Sequence, residues 1–160
     1  GGRFYGWVIG AGLPAALAAD WLTATWDQNA GLYACGPAAA VVEEVCGAWL
    51  KDLLGIPASA SFALVTGCQM AHVTCLAAAR HSVLARAGWD MNRDGLSGAP
   101  GIRILTSQEV HGTTTRAAKL LGLGTAPMIV LPRDSALHLT PALLREALAR
   151  EPGRPTIVVL

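Results

Sequence analysis

Apolar residues along the chain recur at two spacings, one typical of amphipathic helices and the other of short buried strands. Helical spacing behind a proline predicts two N-terminal helices, at residues 13–29 and 37–55. Beyond them, short apolar runs predict strands at residues 61–66, 102–106, 127–131 and 156–160. Helical patterns separate these strands, at residues 68–88, 113–121 and 141–150. The alternation is typical of an α/β fold in which helices cover a mostly parallel sheet.

The composition predicts a surface that is poor in charge. Of the 160 residues, 52% are hydrophobic and 14% are charged, whereas about a quarter are charged in an ordinary soluble domain. This composition excludes intrinsic disorder, and a net charge of +1 without a basic run excludes a nucleic-acid footprint. We expect the apolar surface to be covered by a partner subunit or by the rest of a longer polypeptide.

The apolar composition does not predict a membrane-spanning segment. Glycine, proline and polar residues interrupt the longest uncharged stretch, residues 53–79, and residues 4–19 are too few to span a bilayer. The four cysteines form no CxxC pair, and with the four histidines they show no metal-ligand spacing. The sequence therefore predicts a soluble cytoplasmic protein with free thiols and without a metal site.

The first candidate for chemistry is the segment SFALVTGCQMAH, in which a turn of small residues joins a predicted strand to a helix. The backbone amides of Gln69 and Met70, helped by the side chains of Thr66, Cys68 and Gln69, would bind a phosphate at the positive end of that helix. An ordinary strand-to-helix turn explains the same residues without any ligand.

His111 is the second candidate, because it follows the run RILTSQEV at the edge where parallel sheets bind their ligands. A turn histidine with a purely structural role is the alternative. His72 fits a core or interface position better than a ligand-binding one. The only lysines, Lys51 and Lys119, are both expected to face solvent, so the chain offers no buried lysine for a Schiff base.

Four segments, in order along the chain, resemble motifs of the group II pyridoxal-phosphate-dependent amino-acid decarboxylases, which include the aromatic-L-amino-acid, tyrosine, histidine and glutamate decarboxylases. They are RFYGWVIGAGLPAALAADWLTATWDQN, GPAAAVVEEVCGAWLKDLLGIP, LVTGCQMAHVTCLAAAR and TSQEVHGTTTRAAKLLGLG. The resemblance implies the fold of aspartate aminotransferase (fold type I) and pyridoxal 5'-phosphate as cofactor. It also implies that residues 1–57 interlock the subunits of a homodimer and that residues 58–160 begin the large cofactor-binding α/β domain.

The resemblance implies cofactor contacts for five residues. His111 matches the histidine that stacks on the cofactor ring and assists proton transfer, and Thr113 falls in the turn just after it. Cys68 and Gln69 match the residues that bind the cofactor phosphate, and Met70 lies next to them.

Further implied roles concern the substrate. Trp7 and Val8 match positions that line the pocket for the substrate side chain, and residues 29–33 match a segment that reaches the neighbouring subunit's active site. We expect decarboxylation of an L-amino acid with an aromatic or bulky apolar side chain. The Schiff-base lysine and the aspartate that pairs with the pyridine nitrogen fall beyond Leu160, so we expect this chain to be inactive by itself.

The chain departs from the family pattern in two places. In the phosphate turn the usual glycine, threonine or serine, glutamate and asparagine are replaced, in that order, by Cys68, Gln69, Met70 and His72. Gly112 stands where a serine is common. Two other functions therefore stay open. One is a different reaction on the same fold, such as aldehyde synthesis, desulfuration or transamination, and the other is a noncatalytic interaction module that kept the scaffold.

Overall fold

The computed structural model describes residues 12–136 and 138–160, which form two compact units with their boundary between Leu64 and Val65. Trp7 and Val8, the predicted substrate-pocket residues, lie outside the described residues. In the described part of the chain, no helix combines the length and the apolar character needed to cross a membrane.

The first unit contains two helices, α1 (Pro14–Trp26) and α2 (Pro37–Leu53). Each begins at a proline, whose fixed φ suits the first helical turn and whose missing N–H would be unpaired there in any case. Both helices confirm the predictions from spacing. Every residue of α1 is exposed, and several large apolar side chains of the unit lie open to solvent, among them Trp21, Trp26 and Trp49.

The segment after α2 packs back on that helix at a glycine. A Cβ atom on Gly47 would lie 2.1 Å from Cζ of Phe62, so only glycine leaves room for the ring. Lys51 Nζ donates to the carbonyl oxygens of Ala58 and Ala60, at 2.9 and 3.2 Å. The expectation that Lys51 simply faces solvent is therefore wrong, because two loop carbonyl oxygens accept hydrogen bonds from its ammonium group.

The second unit is a three-stranded parallel sheet with helices on both faces. Its elements in chain order are α3 (Cys68–Arg86), α4 (Met91–Asp94), β1 (Arg103–Ser107), α5 (Gly112–Leu120), β2 (Met128–Leu131), α6 (Pro141–Ala149) and β3 (Thr156–Val159). The strand order is β2-β1-β3, and Ile104 of β1 is in register with both Met128 and Ile157. The predicted parallel α/β architecture is confirmed.

Successive residues of the central strand β1 enter two different cores, because side chains alternate across a strand. Ile104 packs with α3 and α5, through residues that include Leu84 and Ala117, and all three side chains are fully buried. Leu105 belongs to a smaller cluster with Ala147 of α6. Helices α3 and α5 therefore cover one face of the sheet and α6 the other, which fixes the orientation of both helices at the site.

Two predictions about local structure are wrong. Residues 61–66 form no strand in the described structure, and most of them are exposed. A β-strand forms only where another strand pairs with its backbone. An apolar run predicts burial, but it does not provide that second strand. The polar segment after Gly88 contains the short helix α4, which Asp90 begins by accepting from the N–H groups of Asn92 and Arg93.

Candidate active site

The amino ends of α3 and α5 lie side by side. Gln69, in the first turn of α3, donates from Nε2 to the carbonyl oxygen of Thr113, in the first turn of α5, at 3.1 Å. Farther along, Arg80 donates from Nη1 to the carbonyl of Leu121 at 2.6 Å. These two contacts show that the helices run parallel, so their positive dipole ends add at one place.

The first turn of α3 is open to an anion. Gly67 precedes the helix with φ 97°, a conformation that favours glycine, and no side chain of the described residues caps the helix there. A Cβ on Gly67 would meet nothing within 4 Å, so the space immediately beside its Cα is open. The backbone N–H groups of Gln69 and Met70 belong to this turn and are free of intrahelical partners by geometry. Such an end binds phosphate through backbone donors alone.

Side chains of this turn differ in exposure. Cys68 and Met70 are exposed, whereas Gln69 is half-buried. The Oε1 atom of Gln69 is buried and has no hydrogen-bond partner among the described residues. The side chain of Gln69 thus lies toward α5, where its Nε2 bonds to Thr113.

His111 begins α5 as its N-cap. The Nδ1 atom accepts from the backbone N–H of Thr113 at 3.3 Å and lies 2.8 Å from the Thr113 hydroxyl oxygen. Because Nδ1 accepts an N–H, we assign the proton of the neutral imidazole to Nε2. Thr113 is buried while His111 is exposed, so a buried residue holds the ring at Nδ1 while His111 itself remains accessible.

The structure thus brings together Gln69, Thr113 and His111. It also places Cys68 and Met70 on the same helical turn as Gln69. His72 is half-buried on α3, and its Nδ1 atom is buried without a partner among the described residues. The sequence pattern did not identify Arg80. The one sequence feature that could have done so is a long cationic side chain on a largely apolar helix, eleven residues after Gln69.

Residues 12–136 and 138–160 contain no cluster of three or more histidine, cysteine or acidic side chains able to hold a metal ion. Lys119 is exposed in the last turn of α5, at the opposite end from His111. All four cysteines are free thiols.

Comparison with known proteins identifies relatives of this chain. The sequence model of the family described as "Pyridoxal-dependent decarboxylase conserved domain" matches residues 8–160. Glutamate decarboxylase of Drosophila melanogaster is 29% identical over 120 residues, which are 74% of this chain and 22% of that protein. Aromatic-L-amino-acid decarboxylase of Bacillus atrophaeus is 26% identical over 149 residues, which are 93% of this chain and 29% of that protein.

Solved structures show the same fold. The crystal structure of mouse CSAD in apo form has a TM-score of 0.78 at 24% identity, over 92% of this chain and 30% of that one. The crystal structure of Oryza sativa TDC with PLP and tryptamine has a TM-score of 0.73 at 24% identity, over 88% of this chain and 31% of that one. The chain thus spans less than a third of the length of these relatives.

Proposed function

Because the chain belongs to the pyridoxal-dependent decarboxylase family, we propose that it is the first part of an enzyme that decarboxylates an L-amino acid to an amine and CO2. The observation that carries the proposal is the convergence of two helix amino ends, one open at Gly67 and the other capped by His111. The proposal divides the chain into a helical segment, residues 1–57, and the beginning of the cofactor-binding domain, residues 58–160.

The described residues fit pyridoxal 5'-phosphate, the cofactor of this family. A phosphate dianion needs several donors and gains from positive potential, and the uncapped first turn of α3 offers both. In the proposal, the backbone amides of Gln69 and Met70 and the small exposed side chain of Cys68 hold the phosphate. Thr113 lies beside them and holds the neighbouring helix turn in place.

The reaction needs an electron acceptor next to the carbon that loses its carboxyl group. The bound cofactor supplies this acceptor, because its ring takes up the electron pair that departing CO2 leaves behind. The proposed task of His111 is to lie flat against the ring, which keeps the ring oriented and excludes water from that face. With Nδ1 held by Thr113, Nε2 is the atom that would pass a proton to or from the reacting groups.

The substrate and the assembly are further parts of the proposal. Trp7 and Val8 line the substrate side-chain pocket and favour an aromatic or bulky apolar L-amino acid. Residues 29–33 reach the active site of a second subunit, so the complete enzyme is a homodimer in the cytoplasm. The exposed tryptophans of α1 and α2 support a partner surface on the first unit, because large apolar side chains left in water are costly. The Schiff-base lysine comes from outside residues 1–160, so this chain alone is inactive.

The test uses the full-length protein incubated with pyridoxal 5'-phosphate. Visible absorption of a bound internal imine, made permanent by borohydride reduction, is the expected result, and the products from L-amino acids are then identified. Amine supports decarboxylation. If aldehyde is the main product, the proposed decarboxylation is replaced by aldehyde-forming chemistry, as in the name of one solved neighbour, Rhodiola rosea 4-hydroxyphenylacetaldehyde synthase. No fixed cofactor would overturn the enzymatic proposal and favour a noncatalytic scaffold.

A further inference from the structure

We propose that Gln69 is a positioning residue, which sets the orientation of His111 through Thr113 and does not bind the cofactor phosphate with its side chain. The proposal rests on the function proposed above. It departs from the role implied by resemblance, in which the residue at this position contacts the phosphate directly.

One contact joins the two helices, and two more continue from it to His111 at the start of α5. Gln69 Nε2 donates to the Thr113 carbonyl oxygen at 3.1 Å, between residues 44 positions apart in the chain. Thr113 in turn donates its backbone N–H to His111 Nδ1 at 3.3 Å, and its hydroxyl oxygen lies 2.8 Å from the same nitrogen. Thr113 is buried and takes part in all three contacts, so it is the single residue between Gln69 and the ring. A displacement of Gln69 therefore reaches the imidazole through one residue.

The orientation of the Gln69 amide argues against a phosphate contact. One Nε2 proton is used by the Thr113 carbonyl, and the neighbouring Oε1 is an acceptor, which repels phosphate oxygens. Oε1 is also buried, and Nε2 bonds to Thr113 of α5, so the amide group lies between the two helices. The backbone N–H groups of the first turn of α3 are unaffected by this contact, and they suffice to hold an anion.

Chain length explains why glutamine can do what the usual threonine or serine cannot. A hydroxyl oxygen is attached to Cβ, whereas Nε2 is attached to Cδ, two carbons farther from the backbone. The short side chain stays over its own helix turn and the long one reaches the next helix. Substituting glutamine thus exchanges a local phosphate donor for a bond between helices.

The experiment compares Gln69→Ala and Gln69→Thr in the full-length holoenzyme, with Gln108→Ala, an exposed residue of the turn before His111, as the matched control. We expect both Gln69 variants to keep the cofactor dissociation constant within about 3-fold, because the backbone donors remain. Both should lower kcat by about 10-fold or more with little change in KM, since a displaced group near the reacting atoms loses rate before it loses binding. A cofactor affinity that falls more than about 10-fold in Gln69→Ala and recovers in Gln69→Thr would overturn the proposal in favour of a direct phosphate contact.

A second comparison shows whether Gln69 acts through His111. In a His111→Ala background, Gln69→Ala should change kcat by less than about 2-fold, because residues that act through one another are not additive. Full additivity of the two losses would contradict the proposal.

A third measurement needs no bound cofactor and separates this proposal from the proposed function. In apo protein with ¹⁵N-labelled histidine, the Nδ1 resonance of His111 should move in Gln69→Ala and in Gln69→Thr but not in Gln108→Ala. A moved resonance in a protein that binds no cofactor would support the positioning contact while the enzymatic role fails. If the His111 Nδ1 resonance does not move in the Gln69 variants, the positioning role is refuted whether or not the enzyme is active.

Discussion

Arg80 donates from Nη1 to the carbonyl oxygen of Leu121, 2.6 Å away, and so joins the middle of α3 to the residue that ends α5. Leu121 is where the helix leaves carbonyl groups without intrahelical partners, and an arginine is well suited to satisfy one of them. With Gln69 at the other end of α5, Arg80 fixes the helix that carries His111 at both of its ends.

Replacing Arg80 by methionine should destabilise the protein. The Leu121 carbonyl loses a charged donor in a partly buried place, so we expect a loss of about 1–3 kcal/mol in the free energy of unfolding. Urea denaturation of the full-length protein measures it. The matched control is Arg86→Met, because Arg86 is exposed and donates to the nearby Ser82 hydroxyl at the surface, and it should change stability by less than about 0.5 kcal/mol. Equal losses in both variants would contradict the role given to Arg80.

Gly47→Ala should also destabilise, although alanine is the better helix former. The added Cβ would sit 2.1 Å from Cζ of Phe62, and relieving such an overlap costs about 1–3 kcal/mol, against roughly 1 kcal/mol gained from helix propensity. The melting temperature checks the net loss. In a Phe62→Leu background the same substitution should cost less, because the ring is gone. A loss that is unchanged in that background would mean that Phe62 is not the obstacle.

The carboxyl group of Glu151 makes stability depend on pH at the acid end. Its hydrogen bond from Arg154, helped by the charges of Arg154 and Arg103, lowers the pKa of Glu151. A lowered pKa in the folded state means stability that is present above the unfolded-state pKa and is lost as pH falls through the folded-state value. We therefore expect Glu151→Gln to flatten the acid limb of a plot of unfolding midpoint against pH. An unchanged acid limb would show that the ion pair does not form in solution.

His111 has two separable tasks, which two substitutions can divide. His111→Ala removes both the ring and the helix cap, so turnover should fall sharply and stability should drop by about 1 kcal/mol, the usual worth of an N-cap. His111→Ser keeps an oxygen able to cap α5, so stability should stay near wild type while turnover falls as far as in alanine. Turnover that survives in His111→Ser would refute the role of the ring against the cofactor.

The sequence pattern predicted those helices and strands that are determined by residues within the element itself. Helix starts at Pro14 and Pro37 and the cap at Thr140 follow from single residues, and the buried run at β1 follows from its apolar sequence. The strand predicted at residues 61–66 is absent from the described structure. A strand needs a neighbouring strand to pair with its backbone, and an apolar run does not specify that neighbour.

The candidate site divides in the same way. The strand-to-helix turn and the strand-end position pointed to Gln69 and His111, resemblance added roles for them, and the structure places both at paired helix ends. The direction of the Gln69 amide depends on Thr113, 44 residues away, and the residues around Gln69 in the sequence do not predict such a contact. Arg103 behaves alike: it lies in a buried strand and donates to the carbonyl of Ala147 at 3.0 Å, again 44 residues away.

The most direct test is CO2 release by the full-length protein with pyridoxal 5'-phosphate, measured across the L-amino acids. We expect at least one amino acid, with an aromatic or bulky apolar side chain, to yield CO2 and the matching amine in equal amounts. We also expect His111→Ser, with the cofactor still bound, to release far less CO2. A protein that binds the cofactor yet releases CO2 from no amino acid would contradict the decarboxylase function.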